Sequence, residues 1–341
     1  MANFISFQPS AHFNTKLYTG NYSTNAITGV GFQPDFTVLK QRDGADAWYN
    51  VDSVRGATET IYWDVDTAEE TVASGLTSFD ADGFTVGANN AVNQNTADQL
   101  AYSWKMGTTS GLTGGTITPT AYSINTTAGQ SAIAFTGNGT NGATVPHGLG
   151  VAPQFLMLKD LDGTNAWNVQ VPYKPTGYLS LDTTDAFSLS TNRWNDTAPT
   201  STVFSLGDSA ATNGSGNKYI IYCFAPKKGY SFSGWYEGNS DNDGPFQYCG
   251  FRPSMILLKA STGTDWYCWN SQALGYNPDN RYMYPNLTNS EGVSSIIDIL
   301  SNGFKIRSSS SEFNGAGVNN YWIAFAEFPF VSSNSKAGVA R

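Results

Sequence analysis

The sequence predicts an all-β fold, organised as three tandem, diverged, antiparallel β-sandwich-like repeats. Three observations carry that prediction. A set of landmark phrases occurs three times in the same order, and the apolar runs are short and bounded by turn residues. In addition, no window of a dozen residues has a convincing helical period.

Tyr18-Thr19-Gly20-Asn21 opens the first copy, Phe135-Thr136-Gly137-Asn138 the second and Tyr236-Glu237-Gly238-Asn239 the third. Each is followed by a Gly-x-x-Pro block and an apolar run ending in lysine. These are Gly31 to Pro34 then Phe36 to Lys40, Gly150 to Pro153 then Phe155 to Lys159, and Gly250 to Pro253 then Met255 to Lys259. A tryptophan comes next at a nearly constant distance: Trp48, Trp167 and Trp266. The apolar runs read as buried strands, with proline at the entrance, where its missing N–H does least harm.

Asp82-Gly83, Asn302-Gly303 and Asp162-Gly163 are hairpin-type dipeptides, since both residues tolerate positive φ. Ile296 to Leu300 allows a turn of helix and nothing more. Each copy closes on an aromatic-rich strand: Leu100 to Trp104, Tyr219 to Phe224 and Tyr321 to Phe325. The second of these is apolar on both faces and belongs in the middle of a sheet. Sheets of this kind bury their apolar faces on one another.

The divisions follow from these landmarks. Residues 1–17, with Phe4, Ile5, Phe7 and Phe13, lie outside the repeat and read as an N-terminal docking segment. Repeat one spans 18–107, a Gly/Thr/Ser-rich linker with a strand 108–134, repeat two 135–229 and repeat three 230–331. Ala225 to Gly229 is a short polar joint, and the small, polar tail 332–341 is expected to fray.

Composition excludes several classes. Aromatic residues make up 14% of the 341 residues and charged residues only 13%, the reverse of a disordered chain. A net charge of −9 without a basic cluster argues against nucleic-acid binding. No apolar run approaches the roughly eighteen residues of a spanning helix, which argues against membrane insertion. Met1 to Ser6 lacks the basic and apolar parts of a secretory signal, so synthesis in a cytoplasm is expected. Cys223, Cys249 and Cys268 are odd in number and widely spaced, and read as reduced core residues.

Chemistry-bearing patterns are few. His12 and His147 are far apart, no Gly-x-Ser-x-Gly elbow is present, and His147 sits in a turn-like context. Glu69-Glu70, Asp64/Asp66 and Asp80/Asp82 are the carboxylate pairs a glycosidase could use, though the last recurs as Ser301/Asn302 and reads as turn chemistry. Asn239 to Gly244 has the Asp-x-Asp character of a calcium loop but no downstream bidentate Glu, and the alternative is a polar hairpin loop. No catalytic, cofactor-binding or metal-ligating set is therefore expected, and no cofactor. Exposed aromatics can stack on sugar rings. Trp63, Trp194 and Trp235 fall outside the repeated tryptophan position and are the ligand-binding candidates, whereas Trp48, Trp167 and Trp266 are expected in the core.

Several phrases resemble a known group. They are Phe7 to Ser10, Phe13 to Gly20, Gly29 to Asp35, Asp52-Ser53-Val54-Arg55-Gly56, Arg193 to Ser201 and Asn302 to Arg307. Across nearly the whole chain the wording is similar to the repeated structural, tail-fibre-like virion proteins of marine tailed bacteriophages, a family without characterised function. The Asp-Ser-x-Arg-Gly phrase is absent from the other copies, which have Asn270 to Leu274 and Pro172-Tyr173-Lys174 nearby. The resemblance implies a virion component made in a bacterial host, with other virion proteins as partners and homo-oligomers a family expectation. It brings no catalytic residues. The resulting expectation is a non-enzymatic tail appendage or fibre-type protein that attaches to a host-surface glycan. The alternatives are a capsid decoration or head-fibre protein and, behind that, a polysaccharide depolymerase.

Overall fold

The structure is a computed structural model, described here for residues 7–329 except 172, 274–276 and 279. The predictions for residues 1–6, Pro172, Leu274 and the tail 332–341 fall outside the described residues.

In the first unit a 3-10 turn (Pro9–Ala11) leads into β1 (Phe13–Thr19), β2 (Asn25–Thr28), β3 (Phe36–Gln41), β4 (Tyr49–Asp52) and β5 (Gly56–Tyr62). β6 (Glu70–Thr71), β7 (Leu76–Asp80), β8 (Gly83–Val86), the one-turn helix α1 (Asn90–Asn93) and β9 (Asp98–Trp104) complete it. The second unit comprises β10 (Ala121–Asn125), β11 (Gln130–Thr136), β12 (Ala143–Pro146), β13 (Phe155–Asp160), β14 (Asn168–Gln170), β15 (Gly177–Tyr178) and β16 (Ser188–Leu189). It continues through α2 (Thr191–Trp194), β17 (Val203–Leu206), α3 (Ala210–Asn213) and β18 (Lys218–Phe224). The third has β19 (Ser231–Glu237), β20 (Phe246–Tyr248), β21 (Phe251–Ala260), β22 (Tyr267–Asn270) and β23 (Asn280–Met283). It ends with β24 (Gly292–Ser294), β25 (Ile297–Leu300), β26 (Gly303–Ile306), α4 (Ser311–Asn314) and β27 (Asn319–Pro329).

The fold is all-β and antiparallel, and the three principal sheets share a four-strand order, β1-β9-β3-β4, β11-β18-β13-β14 and β19-β27-β21-β22, to which the second adds β10 beside β11. They run β1-β9-β3-β4-β5-β6, β10-β11-β18-β13-β14 and β19-β27-β21-β22-β23-β24. The central strand β18 is flanked on both sides, as its two apolar faces require. A small sheet covers one face of each: β2-β8-β7, β12-β17 and β20-β26-β25. The second unit lacks the third small strand. Helix α2 takes that place beside β17, and its Trp194 fills the satellite core that Leu76 and Ile297 fill elsewhere.

The aromatic-x-Gly-Asn phrases close a first strand rather than open a unit. The glycines there accept no side chain: a Cβ on Gly20, Gly137 or Gly238 would lie 2.0, 2.4 or 2.2 Å from the carbonyl oxygen of Gln94, Gly214 or Gly315. The asparagine that follows is held by a second one, fully buried, at the end of the short helix. Asn93, Asn213 and Asn314 accept the amide N–H of Asn21, Asn138 and Asn239 through Oδ1. Their Nδ2 groups donate to loop carbonyls of Ser23 and Gly87, Thr140 and Gly207, and Asp241 and Ser308.

Several boundaries move. Residues 13–17 are not a docking segment but most of β1, and Phe13 is buried in the core. Phe7 stacks on His12 at 4.5 Å. The stretch 108–134 is no free linker, because Thr116 and Ile117 donate to the Thr144 carbonyl along β12 and β11 belongs to the principal sheet. Residues 297–300 form strand β25, not a helical turn, since Ile297 and Ile299 alternate into the core. Pro253 lies inside β21 at a bulge rather than at the strand entrance, an arrangement that excuses its missing N–H.

The units are not beads on a string. Each long central strand buries both faces, one toward its own small sheet (Leu39, Leu156 and Leu158, Ile256 and Leu258) and one toward a shared axial core. To that core the three units contribute Phe36 and Val38, Phe155 and Met157, and Met255 and Leu257, together with Trp104, Phe224 and Phe325. Burying each such side chain contributes about 1.5–3 kcal/mol.

Polar contacts at the junctions close a ring. The repeated tryptophan of each unit donates its indole N–H to a carbonyl of another: Trp48 to Tyr284 (2.9 Å), Trp167 to Tyr62 (2.6 Å) and Trp266 to Ser180 (2.7 Å). The repeated lysines do the same. Lys40 reaches Thr288 O, Lys159 Asp66 O and Lys259 Thr184 O. Unit one thus holds unit three, unit two holds unit one and unit three holds unit two.

Candidate binding surface

Structural hydrogen bonds and ion pairs occupy most of the residues that could carry chemistry. Asp82 accepts the N–H groups of Gly29 and Gly31, which hold its carboxyl below the ordinary range. Asp80 accepts from Ser78 and Thr85, Glu70 from Tyr62, and Glu69 pairs with Arg55 at 3.0 Å. Asp64 accepts the Trp48 N–H. His147 is buried, with Nε2 donating to Thr200 O and Nδ1 accepting the Leu149 N–H, so burial lowers its pKa. The three cysteines are free and buried, and burial raises their thiols. Among the described residues no three His, Cys, Asp or Glu side chains converge as a metal site would require. In the loop 239–244, Asn239 Oδ1 accepts from Asp241 and Asn314, and Asp243 pairs with Lys305 and Arg307.

The Asp-Ser-x-Arg-Gly phrase turns out to be a junction. Asp52 Oδ1 accepts the N–H groups of Val54 and Arg55 while its other oxygen meets Arg55 Nε and the Tyr222 hydroxyl of unit two. At the equivalent place in unit three, Asn270 accepts from Gln272 and Ala273 and meets Tyr102 of unit one. At the third junction the matching residues are Val171 and Ile323, both in the axial core. One position is charged, polar and apolar in turn; the first two meet a tyrosine of the neighbouring unit and the third lies with an isoleucine in the apolar core.

Of the three sequence-derived ligand candidates, two are corrected. Trp63 is buried in the axial core, stacked on Trp48 at 5.6 Å. Trp194 is buried because it is the one large apolar side chain α2 offers the satellite core. Trp235 alone lies on the surface, 45% exposed on the edge strand β19. Among the described residues the other exposed aromatics are Tyr22, Tyr173, Phe246 and Tyr248, so unit three carries three of the five.

Phe246 and Tyr248 were not picked out from sequence. Register makes them equivalent to Ala26 and Thr28 in unit one and to Thr144 and Pro146 in unit two. The residue between reverses as well. Where Ile27 and Val145 point into the satellite cores, Gln247 accepts a hydrogen bond from Trp322 Nε1 at 3.3 Å. The available signal was this inverted alternation, visible only after the three units are aligned strand by strand.

Grooves also mark the surface of the described residues. One of about 500 Å³ lies where units one and three meet, lined by Leu17, Arg42, Asp98, Arg281 and Glu291, and its charges pair internally: Arg42 grips Glu291 at 2.7 Å. Another, about 620 Å³, lies on unit two beside Leu189, Asn192 and Asp196.

A sequence model of a domain family described as "Domain of unknown function (DUF7483)" matches residues 8–329, a span that runs across all three units. No curated protein matches the chain.

Proposed function

The chain belongs to the DUF7483 family, and from that premise we propose that it is a non-enzymatic structural protein of a bacteriophage virion, a tail appendage or fibre-type component that attaches to a host-surface glycan. The observation that carries the reading is the pairing of an internally closed scaffold with exposed aromatics concentrated on one unit. Rigid elements that present adaptable surface residues suit recognition, and aromatic rings suit sugar faces. The three units, with their common strand order, are read as diverged copies of one module.

The capsid-decoration alternative loses part of its anchor, because residues 13–17 serve the protein's own sheet. A depolymerase would need a carboxylate pair free of structural duty, and each pair considered above has at least one member engaged: Asp64 by Trp48, Glu69 by Arg55, and Asp82 by Gly29 and Gly31. Two measurements test the reading. Mass spectrometry of purified particles should find the chain, and the purified protein should bind susceptible cells. Absence from particles would reject the virion assignment, and release of reducing ends from host polysaccharide would favour the enzyme.

A further inference from the structure

We propose that the outer face of the third unit's small sheet is a subsite for a neutral pyranose sugar. Phe246 and Tyr248 form its stacking platform, and the side chains of Lys305, Asp243, Arg307 and Asp298 form its hydrogen-bonding rim. This deepens the attachment reading and rests on it.

Residues two apart on a strand face the same way, about 7 Å from one another. Phe246 and Tyr248 occupy such positions on β20, 42% and 64% exposed. The register sets Lys305 opposite Phe246 and Asp298 opposite Lys305. Directly paired residues share a face of the sheet, so the charged groups stand beside the rings on one surface. Lys305 Nζ lies 2.9 Å and Arg307 Nη1 3.3 Å from Asp243, and Arg307 Nε donates to Asp298. The bond from Lys305, then the charge of Arg307, holds the Asp243 carboxyl below its ordinary range, so it is an acceptor at neutral pH.

A pyranose has an apolar C–H face and a rim of hydroxyls that both donate and accept. The aromatic pair answers the first and the mixed ionic rim the second. Two cations against two carboxylates leave the rim without net charge, and the chain carries −9 overall. A polyanionic glycan would find no excess positive charge here, so the geometry favours a neutral one. A peptide strand is a poorer occupant, since β20 offers only three residues between Pro245 and the turn at Gly250. Neither other unit can substitute. Unit one has Ala26 and Thr28 at these places, and in unit two residues 116–117 cover β12.

The test uses the full chain with neutral hexose oligosaccharides and uronic-acid oligomers of equal length, read by titration calorimetry alongside adhesion to host cells. Wild type should bind at least one neutral oligomer. The double variant Phe246→Ala/Tyr248→Ala should weaken it at least tenfold, whereas Tyr248→Phe, which keeps the ring, should stay within about twofold. Unchanged melting would show that the double variant folds. Adhesion and sugar binding that survive the double variant would overturn this site and leave the attachment reading standing. A preference for the acidic oligomers would overturn the sugar class, and adhesion without any sugar binding would assign the face to a protein partner. Failure to adhere to any susceptible cell would remove the attachment reading and this proposal with it.

Discussion

At the scale of single residues the molecule repeats a job with different side chains. The N–H of each repeated tryptophan is capped by a residue further along: Asp64 for Trp48 (2.8 Å), Asp182 for Trp167 (3.0 Å) and Asn286 for Trp266 (2.8 Å). Asp182 Oδ2 is buried without a partner, and burial lifts its carboxyl from 3.8 to about 6. A carboxyl raised on folding favours the fold when protonated. Its contribution is therefore complete below about 3.8 and lost as pH rises through about 6. Asp182→Asn installs the neutral group that Asn286 already provides. The variant should match wild type near pH 4 and exceed it near pH 7 by about 2 kcal/mol. Urea midpoints at the two pH values check this, and a difference that does not change with pH would contradict it.

At the scale of elements, the recurring unit is a strand end locked to a one-turn helix. Helices of four residues cannot persist alone. Here α1, α3 and α4 hold because the terminal asparagine of each acts on two sides, accepting one loop N–H and donating to two or more carbonyls. Asn213→Ala leaves the Asn138 N–H and the carbonyls of Thr140 and Gly207 without this partner, at an expected cost of about 2–4 kcal/mol. Asn213→Asp should be no better, because it keeps the acceptor but turns a carboxylate toward two carbonyl oxygens. Chemical denaturation of both variants measures this, and near-wild-type stability of the aspartate form would refute the two-sided role. The hairpin glycines follow related logic. A Cβ on Gly83 or Gly303 would lie 1.9 Å from the Ile27 or Gln247 carbonyl oxygen of the neighbouring strand, so close strand approach explains the residue at both turns.

At the scale of the whole molecule, the shared axial core and the ring of inter-unit hydrogen bonds make the three units one cooperative body. Removing a unit exposes Phe36, Trp104 and their counterparts, and strands the indole and lysine donors that reached across. Each unit cut with all of its own strands, 13–104, 121–224 and 231–329, should therefore be unfolded or aggregated by itself, while the full chain melts in a single transition. Calorimetry and amide NMR spectra decide it, and a dispersed spectrum from any one fragment would mean the units are independent domains.

The sequence by itself determined the all-β class, the place of the central strands, the core positions of Trp48, Trp167 and Trp266, and the turns at Asp82-Gly83 and Asn302-Gly303. These follow from local alternation, turn chemistry and the order of landmarks, all of which act over a few residues. It also held back the exposed face. Trp63 and Trp194 looked free because they fall outside the repeated position, yet whether a lone tryptophan is buried depends on what lies opposite, and that is set by other segments. Only the tertiary structure decided that the units close on one another, that Asp52 with Arg55 meets Tyr222, and that Phe246 and Tyr248 face outward. Burial and partnership between residues more than a hundred positions apart have no signature in local pattern, because the chain's neighbours in space are chosen by the packing of whole sheets.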